Sequence, residues 1–77
     1  MGNSEIYNSE KLEFAVFCIE NTALYLKADA VTVYEKLKST GILEDYIVSE
    51  YDILHTQGKD YIINDILDVL KERGIEI

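Results

Sequence analysis

The sequence has no proline, no tryptophan and a single cysteine, Cys18. Proline is the strongest helix breaker, so its absence from the 77 residues suits a chain of helices joined by short connections. A lone cysteine cannot form an intramolecular disulfide, which argues against the disulfide-stabilised class of small secreted domains and favours the cytoplasm. Cys18 itself lies in an apolar run and is expected to be a small buried residue.

Positive charge is also scarce, because 7 Lys and Arg accompany 15 Asp and Glu, for a formal net charge of −8. Nucleic acids and anionic membranes are bound through basic side chains, so this balance argues against both. The chain has no apolar run near the roughly 20 residues that span a bilayer, and we expect no secretory signal. The charge instead favours another protein with a basic surface, while the small size leaves self-association as a second possibility.

What is present is enough for one small core. The apolar content of 48% is ordinary for a globular domain and too high for a disordered chain. Residues 1–8 are polar and are expected to form a frayed leader. Residues 9–77 are expected to form a single helical domain.

Apolar residues recur at helical spacing in the first half of the chain. The first predicted helix is capped by Asn8 or Ser9 and ends at Lys27-Ala28; the second is capped by Asp29 and ends before a left-handed Gly41. The predicted buried residues of the first helix are Leu12, Val16, Ile19, Ala23 and Leu26, flanked by Phe17 and Leu24. Those of the second are Ala30, Val33, Tyr34 and Leu37.

The second half of the chain predicts two more helices. A third runs from about Leu43 to Thr56, with a break near Val48-Ser49, and a fourth runs from about Asp60 to Arg73 and is closed by Gly74. Their predicted inward residues are Leu43, Tyr46, Ile47, Tyr51 and Leu54, then Tyr61, Ile63, Ile66, Leu67 and Leu70. The fold class is therefore all-α, a compact bundle of four short helices, or five if the third is split, with antiparallel neighbours.

The stretch from Tyr51 to Gly58 holds the densest group of reactive side chains. Asp52 and His55 are three apart, so on a helix they share a face, and a carboxylate that orients an imidazole is half of an acid–base device. The same pair is also explained structurally, since a cation is favoured at a helix C-terminus and Asp52 would steady it. No nucleophile is placed beside the pair by spacing.

Metal and phosphate sites have little support in the sequence. Zinc needs several His or Cys ligands, and the chain has one of each, far apart. The glycines are isolated helix terminators rather than a phosphate-binding loop. We expect no cofactor and no resident metal.

An acidic surface on the third helix is the more informative feature. No basic residue occurs between Ser39 and Lys59, and six tyrosines in the chain provide rings with polar tips that suit interfaces. The candidate partner-binding residues are Glu44, Asp45, Glu50, Tyr51, Asp52, His55 and Gln57.

Several runs resemble a family of short bacterial helical proteins that is classed as a domain of unknown function. The resemblance covers about Glu10 to Leu70, and its most specific part is the signature Leu-His-Thr-Gln-Gly at residues 54–58. The other runs are Glu13-Phe14 through Cys18-Ile19-Glu20, Tyr34-Glu35 to Thr40-Gly41, and Tyr61-Ile62-Ile63. The resemblance implies a helical fold, a bacterial cytosolic source, and an antitoxin-like or accessory role beside proteins similar to ADP-ribosyltransferases.

Two hypotheses follow. The leading one is a non-catalytic protein-interaction module that binds through the acidic third helix and the corner at residues 55–58. The alternative is a small-ligand or metal-binding domain, or an enzyme, centred on Asp52 and His55, with a pocket between the third and fourth helices lined by Tyr51, Tyr61 and Gln57. Helix-turn-helix DNA binding is disfavoured because the recognition helix would be acidic.

Overall fold

The computed structural model describes residues 9–77, which form helices joined by short turns and contain no strand. The helices are α1 (Ser9–Leu26), α2 (Ala30–Ser39), a π-helix (Leu43–Val48), α3 (Tyr51–Leu54) and α4 (Lys59–Glu72). The predicted all-α bundle is confirmed, including the split of the third helix. The predicted leader, residues 1–8, and the alternative cap Asn8 lie outside the described residues. Among the helices of residues 9–77, none combines the length and the apolar character needed to cross a membrane.

The helix ends follow local chemistry. The Asp29 carboxylate accepts hydrogen bonds from the backbone N–H groups of Val31 (3.1 Å) and Thr32 (3.2 Å), as expected of an N-cap. Gly41 and Gly74 take φ values of +85° and +69°, so both glycines stand where a Cβ would be strained. The predicted cap at Asp29 and the predicted helix ends at Gly41 and Gly74 are therefore confirmed.

The end of α1 is less ordinary, because the left-handed position there is a lysine. Lys27 has a φ of +56°. Its N–H donates to the Leu24 carbonyl at 3.2 Å, and the N–H of Ala28 donates to the Ala23 carbonyl at 2.9 Å. This pair of bonds is the Schellman pattern, which glycine usually completes.

The buried face of α1 includes Ile19 and Ala23, as predicted, but differs from the prediction elsewhere. Leu12, Val16 and Leu24 are exposed, Leu24 by 76%. The buried residues are Phe14, Ala15, Cys18, Ile19, Thr22 and Ala23. Helix α1 is apolar on several sides, so periodicity alone allowed more than one inward face. The packing of α2, the π-helix and α4 selects the Cys18 side. Tyr34 and Tyr61, also expected inward, are 38% and 56% exposed because tyrosine tolerates the edge of a core.

The segment between α2 and α4 departs most from regular helix. Its π-helix buries two consecutive residues, Ile47 and Val48, before the turn at Ser49–Glu50 leads into the single turn of α3. Two hydroxyls in the described chain, those of Thr22 and Tyr46, are buried without a hydrogen-bond partner. Thr22 belongs to α1 and Tyr46 to the π-helix, and these two helices pack against each other. The irregular segment is therefore fixed by its packing against α1.

Candidate functional site

The corner between α3 and α4 is held by short-range hydrogen bonds. The Thr56 hydroxyl donates to the Ile53 carbonyl at 2.8 Å, and the Gln57 N–H donates to the Leu54 carbonyl at 2.9 Å. Gly58 then begins α4 in an extended conformation, with φ −72° and ψ 161°. These bonds end α3 at His55 and place the His55 side chain at the surface.

His55 is anchored by Tyr51, one turn before it. The two rings stack nearly parallel, with centroids 4.3 Å apart and planes 7° apart. The Tyr51 carbonyl accepts a hydrogen bond from the His55 backbone N–H (3.0 Å) and lies 2.7 Å from His55 Nδ1. Since a carbonyl oxygen only accepts, Nδ1 carries a proton in this contact. The stack and these bonds fix the orientation of the imidazole.

The expected pairing of Asp52 with His55 is not formed. Within the described residues no ion pair joins these two side chains, and Asp52 is exposed. The physical reason is that the Tyr51 carbonyl already engages Nδ1, the nitrogen that an orienting carboxylate would bind in an acid–base device. The three-residue spacing placed the two residues on one short helix but did not bring them into contact.

A shallow groove of about 380 Å³ lies beside the corner, between it and α1. Three of the predicted residues, Tyr51, His55 and Gln57, line it. The remaining lining residues are Glu10, Glu13, Phe14, Phe17 and Ile62. We call this the corner groove. The pocket expected between the third and fourth helices is thus built largely from α1, and Tyr61 does not line it.

The rings of the corner groove form a continuous series. Phe14 and Tyr51 make a T-shaped contact, with centroids 5.4 Å apart and planes at 77°, and the ring centroid of Phe17 lies 6.2 Å from that of Phe14. With the Tyr51–His55 stack, these contacts join α1 to the corner. Edge-to-face and offset stacked pairs each add about 0.5–1.5 kcal/mol beyond area burial. The groove therefore has a firm aromatic wall.

Carboxylates surround this aromatic wall. Partial burial raises the pKa of the Tyr51 phenol above its usual value, and the negative charges of Glu10, Asp52 and Glu13 raise it further. The phenol therefore stays protonated at neutral pH and keeps a neutral ring next to three acids. Asp52, although unpaired with His55, contributes to this acidic rim.

Sequence reasoning missed the α1 side of the groove, although a signal was present. Glu10, Glu13, Phe14 and Phe17 follow the i, i+3, i+4, i+7 spacing that places residues on one face of a helix. The face was hidden because it mixes acids with aromatics, whereas the prediction followed aliphatic residues. Asn21, Leu24 and Tyr25 continue along α1 into a neighbouring groove of about 570 Å³.

The other predicted acids lie elsewhere. Glu44 and Asp45 are exposed in the first turn of the π-helix, and Glu50 is half-buried before α3. Asp45 sits close to Gly41, since a Cβ built on that glycine would lie 3.0 Å from Asp45 Oδ2. None of these three acids lines the corner groove. The structure thus brings Tyr51, His55 and Gln57 together and leaves Glu44, Asp45 and Glu50 apart from them.

Two other kinds of chemistry would depend on the cysteine thiol and on clusters of metal ligands. Cys18 is fully buried, and this burial raises the pKa of its thiol to about 12, so it is protonated at neutral pH and poorly nucleophilic. Across residues 9–77, no group of three or more His, Cys, Asp or Glu side chains is arranged to hold a metal ion.

The family model described as "Protein of unknown function (DUF3791)" matches residues 13–73. The chain belongs to the DUF3791 family. The matched range contains the whole corner and most of the α1 wall of the groove, and it confirms the resemblance to a domain-of-unknown-function family. No curated protein and no solved structure matches the chain. The DUF3791 description assigns no activity, so a function has to be argued from the groove.

Proposed function

We propose that this DUF3791 domain is a non-catalytic interaction module that binds a basic segment of another protein at the corner groove. The observation that carries the proposal is the composition of the groove. Aromatic rings form its wall, Glu10 and Glu13 line it, and no lysine or arginine is among its described lining residues. Such a surface attracts a positively charged group and offers it apolar contact.

The charge of the whole chain supports the same partner. A formal net charge of −8 on 77 residues produces a long-range field that accelerates encounter with a basic surface and repels acidic ones. Local carboxylates then determine where the partner docks. Association through such a site is expected to weaken as salt screens the charges.

We further propose a cytoplasmic accessory role in bacteria, of the antitoxin-like kind that the resemblance implied. A single buried cysteine and the acidic composition are consistent with that setting. The partner would then be a larger neighbouring protein whose basic surface is covered by this domain.

A ligand-binding site, a metal site or an enzyme active site centred on Asp52 and His55 is the weaker proposal. In the described residues the two side chains form no ion pair, and His55 Nδ1 is engaged by the Tyr51 carbonyl. A rise in melting temperature with any member of a panel of metals and nucleotides would revive it, because a tight ligand of the native state must raise stability.

The test is affinity capture from lysate of the source organism with tagged wild-type domain and two charge-reversed variants. Glu13→Lys/Asp52→Lys changes the groove rim; Glu35→Lys/Glu72→Lys makes the same charge change on α2 and at the end of α4, away from the groove. We expect a stoichiometric, salt-sensitive partner that the first variant loses and the second keeps. Equal loss from both variants, or no partner at low salt, would contradict the proposal. Unchanged helical circular dichroism establishes that both variants fold.

A further inference from the structure

The size of the corner groove limits what can enter it. Its volume of about 380 Å³ is at the lower end of the roughly 300–1,000 Å³ typical of small-molecule pockets. A groove of this size holds one long side chain rather than a helix. The partner therefore contacts the aromatic wall through a single side chain.

The aromatic wall and the carboxylates around it favour a positively charged side chain in the groove. Tyr51 has one ring face against His55 and makes a T-shaped contact with Phe14. His55 is exposed, and Tyr51 stacks on only one of its two ring faces. A neutral or acidic side chain would gain ring contact but would forgo the attraction of the carboxylate rim.

Between the two cationic side chains, the geometry favours arginine. A guanidinium is planar, stacks on aromatic and imidazole rings, and binds a carboxylate through two parallel hydrogen bonds. An ammonium group is a compact, strongly hydrated point charge that gains less from a flat ring. Glu13 and His55 are both exposed and line the same groove, so a carboxylate and a flat ring are available there for the two contacts.

We infer that the corner groove is an arginine receptor, in which a guanidinium from the partner stacks on the His55–Tyr51 pair and binds the Glu13 carboxylate. The inference rests on the proposed function and specifies the residue that the partner contributes. It also specifies the division of roles in the groove: the rings select a planar cation, and the acids hold its charge.

The test is an NMR titration of the intact domain with three short Gly/Ser peptides of one length. They carry arginine, lysine (the same charge) or citrulline (the same shape without the charge). We expect the arginine peptide to bind about three- to tenfold more tightly than the lysine peptide, and citrulline not to bind. Amide shifts should concentrate at residues 10–17 and 51–57.

Variants locate the contact. Glu13→Gln, at an exposed position, and Tyr51→Leu should both weaken binding of the arginine peptide. Tyr25→Leu should leave that binding unchanged. Tyr25 is an exposed tyrosine on α1 that lines a different groove. Glu13→Gln keeps the test decisive if Tyr51→Leu fails to fold.

The failing results are distinct for the two proposals. Equal binding of arginine and lysine peptides, with Glu13→Gln weakening both, would overturn the arginine inference and leave the proposed function standing. Shifts at the groove that depend on protein concentration without peptide would identify a second copy as the occupant and overturn the inference. Absence of peptide binding together with a captured partner indifferent to Glu13→Lys/Asp52→Lys would overturn both.

Discussion

The regular helices and the segment between α2 and α4 differ in length and in regularity. Helices α1, α2 and α4 run for 18, 10 and 14 residues. The segment at residues 43–58 contains only a π-helix of 6 residues, a turn and the 4 residues of α3. Three residues of the corner groove stand on this segment. The least regular part of the chain carries these three residues of the candidate site and packs against the regular helices α1 and α2.

The largest expected effect is on stability, and it distinguishes a core residue of α4 from an exposed residue of α3. Ile66 on α4 is fully buried, whereas Ile53 on α3 is 62% exposed. Ile66→Ala should lower the free energy of unfolding by about 2–5 kcal/mol through lost burial and a cavity. Ile53→Ala removes the same atoms and should change it by less than about 0.5 kcal/mol. Urea denaturation measures both, and similar losses would contradict the different burial of these two side chains.

The two glycines that flank the segment give the next comparison. Gly41 has φ +85°, and a Cβ there would lie 3.0 Å from Asp45 Oδ2, whereas nothing lies within 4 Å of a Cβ on Gly58. Gly41→Ala should cost about 1–2 kcal/mol because of the left-handed backbone. Gly58→Ala should be close to neutral. Its φ of −72° suits any residue, and the gain from a stiffer unfolded chain is offset because glycine is preferred over alanine at the N-cap of α4. Melting temperatures measured by circular dichroism distinguish the two variants. An unchanged melting temperature for Gly41→Ala would show that the turn relaxes to accept the new side chain.

The N-cap of α2 should contribute a smaller amount. Asp29→Ala removes an acceptor used by the N–H groups of Val31 and Thr32, at an expected cost of about 1 kcal/mol. Asp68→Ala removes the same charge from the exposed side of α4 and should change stability by less than about 0.5 kcal/mol. Urea denaturation midpoints of the two variants measure the difference. Equal losses of stability would indicate that the lost charge, rather than the lost cap, is responsible.

The smallest effect tests the packing of the π-helix on α1. Tyr46→Phe removes a buried hydroxyl that has no partner among the described residues, so stability should stay the same or rise by up to about 1 kcal/mol. Thr22→Val should behave alike. The exposed Tyr25→Phe is the control. Thermal unfolding measures all three, and a clear loss for Tyr46→Phe would reveal that its hydroxyl is satisfied in solution, as by an ordered water.

Predictability followed the range of the interactions involved. Asp29, Gly41 and Gly74 were identified correctly because capping and left-handed turns involve residues a few positions apart. The inward face of α1 was right at Ile19 and Ala23 but wrong at Leu12 and Val16, because that helix has apolar residues on several sides and only its neighbours choose among them. The break in the third helix was foreseen, but a π-helix was not, since its wide turn depends on burying Ile47 and Val48 together.

The candidate site divides in the same way. The sequence by itself determined the helices, the corner at residues 55–58 and the negative charge, because composition, periodicity and local hydrogen bonding set these. Only the tertiary structure decided that Tyr51 contacts Phe14 and that Tyr51, His55 and Glu13 line one groove. It also decided that Asp52 does not pair with His55. Such contacts join residues far apart in the chain or choose between rival local partners, and packing fixes both.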